Sequence, residues 1–87
     1  MSLSELATKN RLAGVSSVLR KLRKRQVIKV FIAEDADAEV KENIMKEASD
    51  ANVSVEMTEN MLQLGRACAI TRKTAVAAIL KEEDKLD

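Results

Sequence analysis

Apolar positions along this chain follow two different periods, and each change of period marks a new element. Leu3, Leu6 and Ala7 share one side of a weak helical pattern from Leu3 to Leu12, which Gly14 breaks. Val15, Val18, Leu19 and Leu22 then recur at helical spacing and predict an amphipathic helix from Ser16 to Arg25. Ser16 or Ser17 can cap its start by accepting a hydrogen bond from a free backbone N–H. Val27-Ile28-Lys29-Val30-Phe31-Ile32-Ala33 is β-branched and nearly continuous, the pattern of a strand covered on both faces. Glu34-Asp35-Ala36-Asp37 ends that strand and supplies caps for a helix from Ala38 to Ala51, striped by Val40, Ile44, Ala48 and Ala51. Val53, Val55 and Met57 alternate and predict a short strand. Thr58 can cap a helix through Met61, Leu62 and Leu64, and Ala75-Val76-Ala77-Ala78-Ile79-Leu80 reads as a third strand, rich enough in alanine for helices to pack close.

Strands that alternate with helices imply right-handed βαβ crossovers and a sheet held between helix layers, the α/β class. The chain has no proline, no linker-like stretch and no internal repeat, so residues 1–87 read as one domain, with 82–87 a polar tail. A chain of 87 residues buries only about 60–65% of its unfolded surface. Its core must be economical, which suits a hydrophobic content of 46% that is almost all aliphatic.

Net charge is +1, but the distribution is uneven. Lys9, Arg11, Arg20, Lys21, Arg23, Lys24, Arg25 and Lys29 follow one another with no acid between them. From Glu34 to Glu59 nine acids face only Lys41 and Lys46. Arg66, Arg72, Lys73 and Lys81 then form a second cationic block, and four acids with Lys85 close the chain. Blocks of this kind predict a two-sided surface whose basic face suits a polyanion.

Composition removes several kinds of chemistry. Histidine is absent, which takes away the usual neutral-pH acid–base group and the commonest metal ligand. One cysteine cannot form an internal disulfide, and a reducing compartment is the natural home. Met1-Ser2-Leu3-Ser4-Glu5-Leu6 lacks the layout of a signal peptide. No apolar run approaches the ~18–20 residues needed to span a bilayer. The expectation is a soluble cytoplasmic domain that engages no membrane.

Two segments carry candidate chemistry. Gly14-Val15-Ser16-Ser17-Val18-Leu19-Arg20 places a glycine and two hydroxyls at the free N–H groups of a helix start, where an anion is favoured. Without a Cβ, Gly14 lets a sugar–phosphate backbone approach, and Arg20, one turn on, can reach a phosphate or guanine O6 and N7. A capped helix with a solvated basic face explains the same stretch and, on this stretch alone, ranks slightly ahead. The second segment runs from Leu64 to Lys73 and holds Gly65, Cys68 and three cations with no acid. Ile70 between Arg66, Arg72 and Lys73 suits an extruded nucleotide, the base against Ile70 and the cations on phosphates; a core isoleucine among solvated cations is the plainer account. Cys68 reads as a small buried hydrophobe without a histidine to activate it. Glu34, Asp35 and Asp37 could hold Mg²⁺, but helix capping explains Asp35 and Asp37 more simply.

The kind of polyanion narrows further. Phe31 is the only aromatic residue and lies in the apolar strand, so the chain lacks the exposed stacking platforms of single-strand binders. No helix-turn-helix or zinc signature points to major-groove reading of DNA. What remains is folded RNA recognised by shape, phosphates and a few distorted or extruded bases. The two segments are expected to meet as one RNA-facing edge.

Ile32-Ala33-Glu34-Asp35-Ala36-Asp37, followed by Leu64-Gly65-Arg66-Ala67-Cys68-Ala69-Ile70, resembles the ribosomal protein L7Ae family, whose members bind kink-turn RNA. The order of elements matches that family along nearly the whole chain, and the length is similar to its short bacterial ribosomal-protein-like members. The resemblance implies a three-layer α/β/α sandwich with a small mixed sheet. It also implies that the start of the basic helix meets the tandem sheared G·A pairs of a kink-turn, while the loop before the last strand holds the looped-out nucleotides. By position, Gly14, Ser16, Ser17 and Arg20 take the helix side and Ile70, Thr71, Arg72 and Lys73 the loop side, with Gly65 and Arg66 in support. Lys21 and Lys24 join Arg20 in steering and holding phosphates. Strong kink-turn binders usually show Asn, Glu and Lys where this chain has Ser16, Ser17 and Arg20. Ala69 replaces a usual glycine, which matters if the backbone there takes a positive φ.

The expected function is therefore non-catalytic recognition of kink-turn-like structured RNA, ribosomal or leader RNA, beside the ribosome. The expected state is a monomer that uses no cofactor and no metal, with ribosomal proteins as further partners. The alternative is a protein-interaction module on the same fold, docking a basic partner through the acidic face from Glu34 to Glu59.

Overall fold

The structure, a computed structural model, describes residues 3–8 and 10–81; the tail at 82–87 lies outside them. A 3-10 turn at Leu3–Leu6 leads to β1 (Arg11–Ala13), α1 (Val15–Arg23), β2 (Val27–Ala33), α2 (Ala38–Asp50), β3 (Ser54–Thr58), α3 (Met61–Ala67) and β4 (Val76–Leu80). The strands form one mixed sheet in the order β1-β4-β2-β3. Only β2 and β3 are parallel, joined through α2; β4 runs antiparallel to both β2 and β1.

Strand alternation sorts the core into two layers. Val30 and Ile32 of β2, with Val76 and Ala78 of β4, turn to one face and pack against Val18 and Leu22 of α1 and Ile44 and Ala48 of α2. Phe31 and Ala33, with Ala77, turn to the other face and meet Leu6, Leu64 and Cys68. The fold is thus an α/β/α sandwich, and the near-continuous apolar run of β2 reflects its coverage on both sides. The one gap is Ile28, 54% exposed. The pairing with β4 steps from Val27↔Leu80 to Lys29↔Ile79, so Ile28 is the extra residue of a bulge.

Four features differ from the sequence reading. The N-terminal helical pattern stops at Leu6, and Arg11–Ala13 instead extends along Ile79, Ala78 and Ala77; pairing with the alanine-rich β4 outweighs a weak local periodicity. The sheet consequently has four strands, and its last begins at Val76, one residue later than expected. α1 starts at Val15 with Gly14 at its N-cap, so Ser16 and Ser17 lie inside the first turn and cap nothing. Thr58 ends β3, its hydroxyl donating to the Ile32 carbonyl at 3.3 Å. Asn60 caps α3 instead, accepting from the Gln63 N–H at 2.8 Å, while Asp35 accepts from the Met61 N–H at 2.8 Å.

All three helices end in the same way, without glycine. Arg25, Asn52 and Ala69 each take φ +60° just past a helix end. In each case that residue and its successor donate back into the last turn: Arg25 to Leu22 and Gln26 to Lys21, Asn52 to Ser49 and Val53 to Ala48, Ala69 to Arg66 and Ile70 to Gly65. This is the paired bonding of a Schellman closure.

Candidate nucleic-acid interface

The second candidate segment runs directly into Thr74, and there it is joined to the first through a single carbonyl. Val76, the first residue of β4, accepts from the Gly14 N–H at 3.0 Å and from the Thr74 hydroxyl at 3.0 Å. The start of α1 and the end of the 69–75 loop are therefore fixed to one point. The same end of the loop is held twice more, because Thr74 N–H donates to the Met61 carbonyl at 3.2 Å and Ala75 accepts from Ala33 N–H at 2.9 Å.

On the helix side, Gly14 takes φ +109° and ψ 141°, a conformation that side chains resist, and nothing lies within 4 Å of where its Cβ would stand. The first turn of α1 carries no side-chain cap, so its backbone N–H groups point outward beside the positive end of the helix dipole. Ser16 and Arg20 are exposed and Ser17 half-buried. Arg20 is four residues from Ser16 and three from Ser17, which places all three on one helix face. Lys21 and Lys24 belong elsewhere. Lys21 donates to the Gln26 side chain at 3.1 Å, and Lys24 is the C-cap at the opposite end of the helix.

On the loop side, Gly65 is buried within α3, and a Cβ on it would fall on the Arg72 carbonyl oxygen. The residue read from the sequence as part of the connection is thus the seat on which the loop rests. Arg66 is exposed in the last turn of α3, Ile70 is 40% exposed, and Thr71, Arg72 and Lys73 are exposed. Cys68 is buried, as read, and burial pushes its thiol upward while the Arg11 charge opposes this weakly. The ion pairs among the described residues are Arg23–Glu47, Lys29–Glu5 and Lys29–Glu56. None of them engages Arg20, Arg66, Arg72 or Lys73.

Sequence reasoning missed two contributors. Thr74 is buried and locks the loop to β4, a role no local pattern signals. Arg11 reads in the sequence only as a cation, yet its Nε donates to the Cys68 carbonyl at 2.8 Å and another guanidinium nitrogen donates to the Thr8 carbonyl at 2.8 Å. It ties the end of α3, and so the root of the loop, to the segment before β1. Among the described residues no group of three or more His, Cys, Asp or Glu could hold a metal, and no helix is long and apolar enough to cross a membrane.

A mixed sheet between two helix layers, with a helix N-terminus and a cationic loop sharing one edge, defines an α/β/α domain built to present that edge. Residues 3–87 match the Ribosomal protein L7Ae/L30e/S12e/Gadd45 family, and the chain belongs to it. It is 37% identical over 68 residues, 78% of this chain and 83% of the relative, to a protein of Geobacillus thermodenitrificans named "RNA-binding protein". The same figures hold for "RNA-binding protein YbxF" of Geobacillus stearothermophilus. Among solved structures it superposes on the "Giardia lamblia 15.5kD RNA binding protein" with a TM-score of 0.82 and 25% identity, covering 94% of this chain and 70% of that one.

Proposed function

We propose that this chain is a non-catalytic RNA-binding protein of the cytoplasm that recognises kink-turn-like structured RNA, ribosomal or leader RNA, in association with the ribosome. The observation that carries the reading is the shared Val76 carbonyl, which sets the uncapped start of α1 beside the Ile70–Lys73 loop. Helix N–H groups, Ser16 and Arg20 approach the paired purines. Ile70 covers a displaced base, and Arg66, Arg72 and Lys73 hold phosphates around it. The names carried by the relatives support the RNA part of this reading.

Serine hydroxyls reach less far than amides or carboxylates, so Ser16 and Ser17 favour backbone and 2′-hydroxyl contacts over base edges. Arg20 offers a planar fork where a lysine would offer a point charge.

The test is affinity for a kink-turn RNA, for the same RNA with its G·A pairs replaced, and for a straight duplex, each across a salt series. Phosphate attraction alone gives similar affinities for all three, falling steeply with salt. The reading requires a clear preference for the intact kink-turn that Gly14 and Ile70 substitutions remove. Substituting Arg20 lowers the salt slope by about 1 if it holds a phosphate. Equal, weak binding to all three RNAs would sink the kink-turn assignment.

A further inference from the structure

The edge of the sheet away from β1 is open. β3 ends the strand order, and among the described residues no strand pairs with its outer side. Thr58 accepts from the Glu34 N–H at 2.9 Å, so its backbone groups face the β2 side. Alternation along the strand turns the N–H and carbonyl groups of Val55 and Met57 outward. The side chains of these two residues are half-buried on the α2 face. Met45 of α2, 43% exposed, stands beside them. It lines two adjoining hollows, one of about 410 Å³ with Val53 and Val55, the other of about 360 Å³ with Met57 and Glu42. Together they form a shallow apolar trough along an unpaired strand.

The surroundings of this trough are acidic. Glu42 lies in it, and Glu59 stands exposed just past the end of β3. Glu34 and Lys41 also line it, the Lys41 ammonium donating to the Glu34 carbonyl at 2.9 Å, so three carboxylates surround one cation. Farther along α2, Glu47 is paired with Arg23 at 3.3 Å, so it is committed to α1.

We propose that the outer edge of β3 docks an extended lysine- and arginine-rich segment of a protein partner, which adds as a fifth strand. Backbone groups of the incoming segment pair with Val55 and Met57, the usual source of affinity in strand addition. Its alternate side chains lie on Met45 in the trough, and its cations meet Glu42 and Glu59. A second copy of this chain fits less well, because its own β3, SVEMT, brings an acid and no cation to Glu42 and Glu59. β2 separates β3 from β4, which carries the Val76 junction, so this surface stands independently of the RNA reading.

The probe is a synthetic peptide of alternating lysine and valine, seven residues long, blocked at both ends, with a glutamate–valine peptide as control. Amide hydrogen exchange is followed by NMR on the full chain. The lysine peptide should slow exchange at the Val55 and Met57 amides, and the glutamate peptide should not. The double variant Glu42→Lys with Glu59→Lys, both exposed positions, should weaken the lysine peptide by about tenfold or more while leaving the exchange pattern of the core unchanged. Binding without protection of those two amides, or binding indifferent to the double variant, would overturn the proposal. So would protection of the same amides in the absence of peptide accompanied by a dimer in sedimentation, which would make a second copy the occupant.

Discussion

The α-carbon of Gly65 lies so close beneath the carbonyl of Arg72 that a methyl group added to it would fall on that oxygen. The obstacle is backbone, with Lys73 Cα a further contact at 3.4 Å, so no side-chain rotation can relieve it. Gly65→Ala must lift the loop or move α3. It is expected to cost about 1–3 kcal/mol in urea unfolding, the range for overpacking a filled site, and to weaken RNA binding as the loop shifts. An unchanged unfolding midpoint would mean that the loop yields freely and does not rest on α3.

Gly14 presents the opposite case. A Cβ there meets nothing within 4 Å, yet φ is +109°. Gly14→Ala should therefore destabilise through backbone strain alone, by about 1–3 kcal/mol. Calorimetry that finds the variant as stable as the parent would show that the junction at Val76 tolerates a different dihedral.

The layout of the chain was readable because strong periods report burial. β2 was placed residue for residue, since a strand covered on both faces leaves an unbroken apolar run, and Ile44 and Ala48 proved buried as the α2 stripe implied. What escaped were features set by partners distant in sequence. Arg11–Ala13 is a strand because β4 offers an edge, and three residues cannot announce a period. Gly65 reads as a loop glycine because a cationic stretch with no acid follows it; only the folded position of Arg72 shows why it lacks a side chain. The candidate interface is legible in charge and in the two glycines, whereas Thr74 and Arg11, which position it, act through backbone carbonyls that no sequence pattern displays.

Ala69 holds a conformation better suited to glycine. Its φ of +60° completes the closure of α3, and for an L-residue the left-handed region costs roughly 1–2 kcal/mol. Glycine removes that cost but adds about 0.5–1 kcal/mol of unfolded-state freedom. Ala69→Gly should thus stabilise the domain by about 0.5–1 kcal/mol, raising Tm by about 2–8 °C at this size. A lower Tm would show that Ala69 earns its place through packing rather than enduring strain.

Arg11 spans two carbonyls, of Thr8 and Cys68, at 2.8 Å each. Arg11→Met keeps much of the aliphatic stem and removes both bonds. Partly buried hydrogen bonds from a charged donor are worth about 1.5–3 kcal/mol, and partial exposure places the expected loss at the lower end. Arg11→Lys should recover little, because an ammonium lacks the planar fork. The informative measurement is amide shifts of Ala69 to Lys73 in Arg11→Met: displacement confined to these residues and the 8–11 segment marks Arg11 as the brace of the loop, whereas shifts spread evenly over the sheet would not.

Lys29 rests between two carboxylates, 2.9 Å from Glu56 and 2.9 Å from Glu5, with its ammonium 5.1 Å from the centre of the Phe31 ring. Hydrogen bonds to Glu56 and then to Glu5 hold its pKa above the ordinary lysine value of 10.5. The folded chain binds this proton more tightly than the unfolded chain does. Its stabilising contribution is therefore complete below pH 10.5 and is lost as pH rises through the higher folded value. The buried Cys68 thiol acts in the same direction, beginning near its ordinary value of 9.0, so the two are separated by working in a Cys68→Ala background. The chain has no tyrosine, so no phenol ionises in that window, and its eight other lysines are common to the two proteins compared. Urea unfolding from pH 9 to 12 should show stability falling above pH 10.5 in the Cys68→Ala protein and falling less in Cys68→Ala with Lys29→Met. Parallel curves for the two proteins would mean that the Glu5–Lys29–Glu56 bridge contributes nothing to the alkaline limb.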